Sequence, residues 1–436
     1  MNAIVVREHA RLTTEPVPTT LDRATIGRKA FDWLVDAFGQ TVSSGARLVT
    51  LEGRSWLRLD NYVGLIEAPD GTQIEILPKI GDDVDDAPTA RAIFLRMLSV
   101  AYDLPTRSFG SANVSATRSS VWEWTAKQFI EHLQSTIRRG LRSQYEVVSA
   151  DEPFVRGRLR VDLQCSKPPW RLQDFSVEYD MFSMKTPENK LIRSTLKRLL
   201  SSLRLTASTR LALAELDNRL ASIAPSGDID ADLSLWPTDR LSAHYRPIRP
   251  WCELVLRQLN PVASAGTHNA PSLLFPMERV FEAYVAKTLH RSLPKAATVR
   301  AQIHSRSLCR LEGRELFKLR PDIAVEAHGE CTIFDTKWKR ADGSVGKKFG
   351  IGQADMYQMF AYGHKYQGGR GDVCLIYPRT SGFSKPQGPF QFSDTMNAYA
   401  VPFDLHAEKA ILPPALLKKW SLEGINVRGS GKAEAR

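Results

Sequence analysis

Five cysteines in 436 residues, at positions 165, 252, 309, 331 and 374, are too scattered to organise a fold. None forms a CxxC pair and the total is odd, so neither a zinc knuckle nor a disulfide framework is expected. Cys331 and Cys374 sit in apolar strand-like runs and read as small core residues. No stretch approaches the ~18 consecutive apolar residues of a membrane-spanning helix. The opening "MNAIVVREHARL" has Arg7 and Glu8 where a signal peptide would be apolar, which makes a cytoplasmic location the expectation. A GxxxxGK[ST] phosphate loop is missing, so any nucleotide energy must come from another chain. The GxSxG elbow of serine hydrolases is missing too. His290 and His304 have no second His or Cys at ligand spacing and read as structural or surface residues.

What is present is an ordinary folded composition, 43% hydrophobic and 25% charged, with length for two or three domains. The net charge of +11 and pI near 9.4 favour a polyanionic partner. With no basic arm or repeat in view, the contact surface must be assembled by folding.

The pattern along the chain predicts an α+β multidomain protein. Residues 1–110 read as a β-rich domain: a strand at 3–13, an amphipathic helix near 21–38, and a meander over 46–80 with turns at Glu52-Gly53 and Pro69-Asp70-Gly71. An acidic loop (82–86) precedes a helix at about 88–102. Residues 111–260 read as mainly helical, with helices near 118–145, 187–204, 207–222 and 247–259 and a hairpin over 146–161. In "TPENK", Thr186 and Pro187 have helix-start grammar. Residues 224–239 read as a connector and 260–272 as a linker. Residues 261–425 then run helix, three strands (297–307, 316–327, 331–338), helix (352–366), strand (372–377) and a looser β tail, an α/β unit. The last residues, 426–436, read as a disordered tail.

"RPDIAVEAHGECTIFDTKWKR" (320–340) puts Asp322, Asp335 and Lys337 among strand residues. Asp335 and Lys337 share one strand face while Thr336 points away, and a hairpin can place Asp322 beside Asp335. Two converging carboxylates without His or Cys suit a hard divalent ion, Mg²⁺ with Mn²⁺ as substitute. Such an ion polarises a phosphate and acidifies a bound water, and the lysine can steady developing charge. The competing reading is an exposed salt-bridge trio, worth little. Ile323, Val325, Ile333 and Phe334 mark the strands as partly buried and weigh against it, because buried carboxylates without a cation are costly. Glu278 and Glu282 lie one turn apart on the opening helix. Glu282 could turn to the same sheet, whereas Glu278 reads as solvated. Gln358 and Tyr362, also one turn apart in "GQADMYQMFAYG", could hold Lys337 or a phosphodiester. Arg156, Arg158 and Arg160 in "VRGRLRV" have strand spacing: a phosphate-tracking face, an acidic-partner face or a plain solvated strand. Residues 301–348 hold ten Lys/Arg against seven Asp/Glu, a modest excess that fits DNA passing nearby.

Pro321-Asp322 followed by Asp335-Thr336-Lys337 resembles the PD-(D/E)xK nuclease motif. Gln358-x-x-x-Tyr362 resembles the QxxxY element of RecB-like members, and Glu282 matches the acidic residue many members carry on the opening helix. "NYVGLIEAPDGTQIEILPKI", "FVRGRLRV", "TPENKLI" and "FPMERVFEAYV" resemble the McrC family, over about residues 46–380. The resemblance implies a C-terminal PD-(D/E)xK domain in which Asp322, Asp335, Glu282 and the Thr336 carbonyl hold Mg²⁺. Lys337, Gln358 and Tyr362 complete the catalytic set. It also implies docking through the N-terminal half on an McrB-like AAA+ GTPase hexamer, stimulation of GTP hydrolysis, and cleavage of modified double-stranded DNA. Two other readings remain open: an adaptor that activates a nucleotide-driven ring and has an incidental nuclease fold, and a stand-alone Mg²⁺-dependent endonuclease.

Overall fold

A computed structural model describes residues 3–39, 48–80, 86–106, 119–202, 205–257, 273–294, 297–303, 305–341 and 345–420. The expected linker at 260–272, nearly all of the acidic loop, His304 and the tail at 426–436 lie outside the described residues. Two compact units emerge: residues 1–121 with 260–436, and residues 122–259.

The first unit contains two four-stranded sheets from the N-terminal region. One runs Arg23–Thr25, Arg11–Thr13, Trp56–Leu59, Val49–Glu52. The other runs Ile4–Arg7, Gln73–Leu77, Tyr62–Glu67, Leu273–Pro276. The helix Arg28–Phe38 drops Phe31, Leu34 and Phe38 into the shared core at helical spacing, beside Leu12, Leu57, Ile66 and Ile76. The expected single strand at 3–13 is two strands broken at His9, whose φ is +65°. The fourth strand of the second sheet comes from beyond residue 270, so the N-terminal sheet is completed by the segment that opens the C-terminal region. Leu274 pairs with Gly64, where φ is +132° and a Cβ would stand 1.9 Å from the Leu273 carbonyl oxygen; only glycine admits that strand. The helix Ala87–Ala101 starts at Asp86, which accepts the Thr89 amide at 2.9 Å. It packs against the helix Met277–Ser292.

The same unit holds a larger mixed sheet in the order Thr298–Ala301, Ile323–Ala327, Glu330–Thr336, Gly371–Pro378, Met396–Asp404, Gln387–Ser393, with Lys409–Ala410 beside Met396–Asp404. Glu330–Thr336 is antiparallel to Ile323–Ala327 and parallel to Gly371–Pro378. That parallel step is bridged by the helix Gln353–Gln367, which buries Met359 and Tyr362 against Ile333, Val373 and Leu375. The expected strand at 316–327 is instead two elements. Arg314–Leu319 pairs with Arg306–Leu311 as a separate hairpin, and the chain turns at Arg320–Asp322 before Ile323–Ala327 begins. Pro321 supplies the physical reason: it has no N–H for a ladder and biases the residue before it. The loose β tail is tighter than expected, since Met396–Asp404 is a buried, fully paired interior strand.

In the second unit, the helices Pro187–Leu200, Ala207–Arg219 and Arg249–Arg257 match the expected periodicity, and a short helix, Ile229–Ser234, occupies the expected connector. Thr186 stands at the N-cap position without a side-chain capping bond. Asn189 instead ties the helix start, donating to the Arg142 and Met184 carbonyls at 2.9 and 2.8 Å and accepting from the Tyr245 hydroxyl at 2.7 Å. The hairpin expected over 146–161 is absent. Gln144–Glu152 pairs with Phe175–Ser183, and only the two-residue strand Arg158–Leu159 joins on the far side. Consequently the three arginines do not form one strand face. Arg156 lies over the Tyr179 ring at 4.2 Å, and Arg160 stands just before a short helix and pairs with Asp162 and Glu178. Gly157, at φ +68°, interrupts the alternation on which the expectation rested.

Candidate active site

The site is built on the hairpin joining Ile323–Ala327 to Glu330–Thr336. Its two-residue turn, His328-Gly329, has φ of +52° and +79°, the left-handed pair that matches strand twist. Register pairs Ile323 with Phe334, so Asp322 and Asp335 stand at the same end of adjacent strands. Asp322 thus precedes its strand rather than ending it. Glu330–Thr336 lies inside the sheet, and Asp335 is only 1% exposed. The ladder continues through the Lys337 amide, which donates to the Ile376 carbonyl at 2.8 Å and keeps Asp335 and Lys337 on one face.

Asp322 Oδ2 accepts the Thr336 amide at 2.6 Å and the Thr336 hydroxyl at 2.7 Å. The Lys337 ammonium lies 2.7 Å from Asp335 Oδ2 and donates to Gln358 Oε1 at 3.0 Å. Gln358 Nε2 donates to the Tyr362 hydroxyl at 2.7 Å, and that hydroxyl donates to the Arg320 carbonyl at 3.0 Å. One chain of contacts therefore runs from Asp335 through Lys337, Gln358 and Tyr362 to the residue two before Asp322. Every link carries polarity that the buried surroundings would otherwise penalise. The helical spacing of Gln358 and Tyr362 puts amide and phenol on the sheet-facing side of their helix.

The electrostatics are unbalanced. Burial pushes Asp335 up to about 6 and the charge of Asp322 adds to this, while Lys337 pulls the other way. Asp322 is also raised by burial, against its Thr336 bonds and Lys337. Glu282 is pushed to about 7 by burial, then by Asp322 and Asp335, and Gln302 Nε2 donates to it at 3.3 Å. Burial alone would lower Lys337, but the surrounding carboxylates outweigh it and raise the ammonium. Tyr362 is lifted above the ordinary phenol range by burial and by Asp335. Three carboxylates thus act on each other across one strand end with one lysine between them.

Among the described residues, no three His, Cys, Asp or Glu side chains converge into a ready metal cage. The donor chemistry still fits a hard cation. Asp335 is buried and Asp322 half-buried, burial raises the pKa of both, and Asp335 Oδ2 has no hydrogen-bond partner among the described residues beyond its close ion pair with Lys337. Glu282 belongs to the cluster electrostatically, whereas Glu278 is exposed, as expected.

Some participants are not visible in the sequence. Trp338, next after Lys337, donates its indole N–H to both oxygens of Glu8, at 2.8 and 3.0 Å. Glu8 also accepts the Lys79 amide at 2.7 Å, is 1% exposed, and is pushed by burial to about 7. The N-terminal strands are thereby pinned to the strand end bearing Lys337, beside a cleft of about 250 Å³ lined by Glu8, His9, Lys79, Trp338, Lys339 and Arg340. A charge between Arg7 and His9 was the single available signal, and it looks like any surface glutamate. Asp355 likewise caps its own helix and pairs with Lys339 at 2.5 Å.

These features define a mixed α/β protein with an acid-rich, lysine-bearing constellation at the end of an interior strand. A family model described as McrBC 5-methylcytosine restriction system component matches residues 57–378, and the chain belongs to that family. No match is found among curated proteins. A solved Thermococcus gammatolerans structure, described as a refined half-complex from a tetradecameric assembly of McrB AAA+ hexamers with bound McrC, is similar in fold. Identity is 21%, coverage is 97% of this chain and 100% of that chain, and the TM-score is 0.64. A cryo-EM structure of the Thermococcus gammatolerans McrBC complex matches at 21% identity over 67% of this chain and 89% of that chain, with TM-score 0.49. Among the described residues, no helix is long and apolar enough to cross a membrane.

Proposed function

We propose that this component of a McrBC-type restriction system is its nuclease subunit, a PD-(D/E)xK enzyme cleaving double-stranded DNA. The observation that carries the reading is the continuous network Asp335–Lys337–Gln358–Tyr362 with Asp322 alongside, a buried carboxylate and its half-buried neighbours sharing one lysine, a surplus that a purely structural cluster would not keep. Asp322, Asp335 and Glu282, with the Thr336 carbonyl, would hold Mg²⁺, or Mn²⁺ in its place. The ion supplies charge neutralisation and an acidified water. Lys337, fixed by Gln358, presents its ammonium to the attacked phosphate or the attacking water, and Tyr362 fixes Gln358. Thr336 holds Asp322 in place through its amide and hydroxyl.

The partner reading is supported by the family and by the McrB AAA+ hexamers with bound McrC in the similar structure. In this reading residues 1–110 help dock the chain on an McrB-like AAA+ GTPase hexamer and stimulate its GTP hydrolysis. Residues 111–260 form the middle region and residues 261–425 the nuclease. Asp335→Asn and Lys337→Ala, each assembled with the ring, GTP, Mg²⁺ and methylated DNA, should lose cleavage by about 10³-fold or more. Ring binding and GTP turnover should persist. Full cutting by either variant would overturn this site, and stimulated GTP turnover with no cutting by the wild type would favour the adaptor reading.

A further inference from the structure

The hairpin Arg306–Leu311 with Arg314–Leu319 is not part of the large sheet and is left unexplained by the catalytic network. It turns at Glu312-Gly313, with φ of +50° and +79°. Nearly every residue of both strands is exposed, including Leu308, Leu311, Leu316 and Phe317, the last at 72%. An isolated two-stranded ribbon is marginal in water, and this one keeps apolar side chains on both faces. Register pairs Ser307 with Lys318, Cys309 with Leu316 and Leu311 with Arg314, so Lys318, Leu316 and Arg314 share one face, while Arg306, Leu308 and Arg310 alternate onto the other and Phe317, at φ +55°, falls outside the paired register.

Charge names the occupant. Residues 306–320 carry Arg306, Arg310, Arg314, Lys318 and Arg320 against Glu312 and Glu315, five minus two, or +3 in fifteen positions. Arg310 is paired with Glu315 at 3.1 Å, while Arg306, Arg314 and Lys318 make no ion pair among the described residues. The base of the ribbon is anchored to the site's own helix: the Tyr366 hydroxyl donates to the Leu319 carbonyl at 3.1 Å and the Tyr362 hydroxyl to the Arg320 carbonyl at 3.0 Å. Two residues later comes Asp322. Six residues per strand give an arm about 20 Å long, and a two-stranded ribbon fits the major groove of duplex DNA.

We infer that this ribbon is a DNA-binding arm that grips the duplex beside the phosphate to be cut. Arg306, Arg314 and Lys318 take phosphates, and Phe317 meets the base edges or sugars. The inference rests on the nuclease reading and adds to it the surface that holds the substrate. Tyr362 then has two duties, fixing Gln358 within the site and fixing the arm's base, so the gripped phosphate and Lys337 share one reference frame.

The test is binding of a fluorescein-labelled methylated duplex by the full chain across a salt titration, with ring binding and cleavage measured in parallel. The triple variant Arg306→Gln/Arg314→Gln/Lys318→Gln should bind about tenfold more weakly or worse near 0.1 M salt, with the slope of log K against log salt reduced by roughly two to three. The charge-conserving Arg306→Lys/Arg314→Lys/Lys318→Arg should restore both, and Phe317→Ala should weaken binding without moving the slope. Wild-type affinity and slope in the glutamine variant would overturn the arm while leaving the nuclease reading standing. Lost ring binding with unchanged duplex binding would also overturn it, in favour of an acidic protein surface. A wild-type chain that neither binds nor, with its ring, cuts the duplex would overturn arm and nuclease together.

Discussion

Two buried carboxylates in the same compact unit, each facing a cation, make an instructive contrast. Glu75, 1% exposed on Gln73–Leu77, receives Arg91 fork to fork, Nε to Oε1 at 2.8 Å and Nη2 to Oε2 at 2.5 Å. One charge meets one charge, and both carboxylate oxygens are bonded. Asp335, equally buried on Glu330–Thr336, shares a single lysine with Asp322 and is raised by burial, by Asp322 and by Asp355. The first arrangement is complete within the chain, and the second has negative charge left over. A balanced pair welds the Ala87–Ala101 helix to its sheet, whereas an unbalanced one is a demand for something from outside.

That contrast can be broken by substitution. The largest effect should come from Asp335→Asn, which removes about 10³-fold or more of cleavage yet leaves the melting temperature unchanged or higher, because it relieves repulsion with Asp322. A nicking assay beside a thermal melt checks both, and a destabilised Asp335→Asn would mean that the cluster is structural after all. Next, Arg91→Met should cost about 3–5 kcal/mol of stability by stranding Glu75, while cleavage per folded molecule stays at the wild-type rate. Urea denaturation read with the cleavage assay separates the two. Gln358→Ala should have a smaller effect than either, lowering cleavage roughly tenfold with little change in stability, since Lys337 keeps Asp335 but loses its second anchor.

The smallest effect concerns Glu8. Its folded pKa of about 7 lies above the ordinary 4.5, so the folded state holds a proton that the unfolded state has released. Stability from this group is full below about pH 4.5 and falls as pH rises toward 7, then levels. Glu282 and Asp335 slope the same way, so Glu8→Gln should flatten only part of the decline. Melting temperatures between pH 4.5 and 7.5 measure it, and an unaltered profile would show that the Glu8–Trp338 contact is not proton-linked.

Much of the site was legible because its residues obey two local periods. Asp335-x-Lys337 has strand alternation and Gln358-x-x-x-Tyr362 has helical spacing, so each pair's shared face follows from backbone geometry. The expected strand over 316–327 failed where Pro321 ends one element and starts another, which separated the arm from the sheet. The row Arg156, Arg158, Arg160 failed for the opposite reason. Its spacing was right, but Gly157 in a left-handed conformation and the competing partner Phe175–Ser183 left only a two-residue strand. The second-unit hairpin was misplaced because the pattern marks a strand without naming its partner, and here the partner lies more than twenty residues on.

By itself the sequence determined the constituents: a basic chain of ordinary composition, the elements that carry Asp322, Asp335, Lys337, Gln358 and Tyr362, and a resemblance matched by the family to which the chain belongs. Only the tertiary structure decided how those constituents meet. Leu273–Pro276 completes a sheet begun two hundred residues earlier, Glu8 grips Trp338, and the tyrosine of the QxxxY helix reaches the Arg320 carbonyl. Local periods fix which way a side chain faces, but the partner it faces is chosen by burial and by the satisfaction of polar groups across long loops, which one linear pattern does not encode.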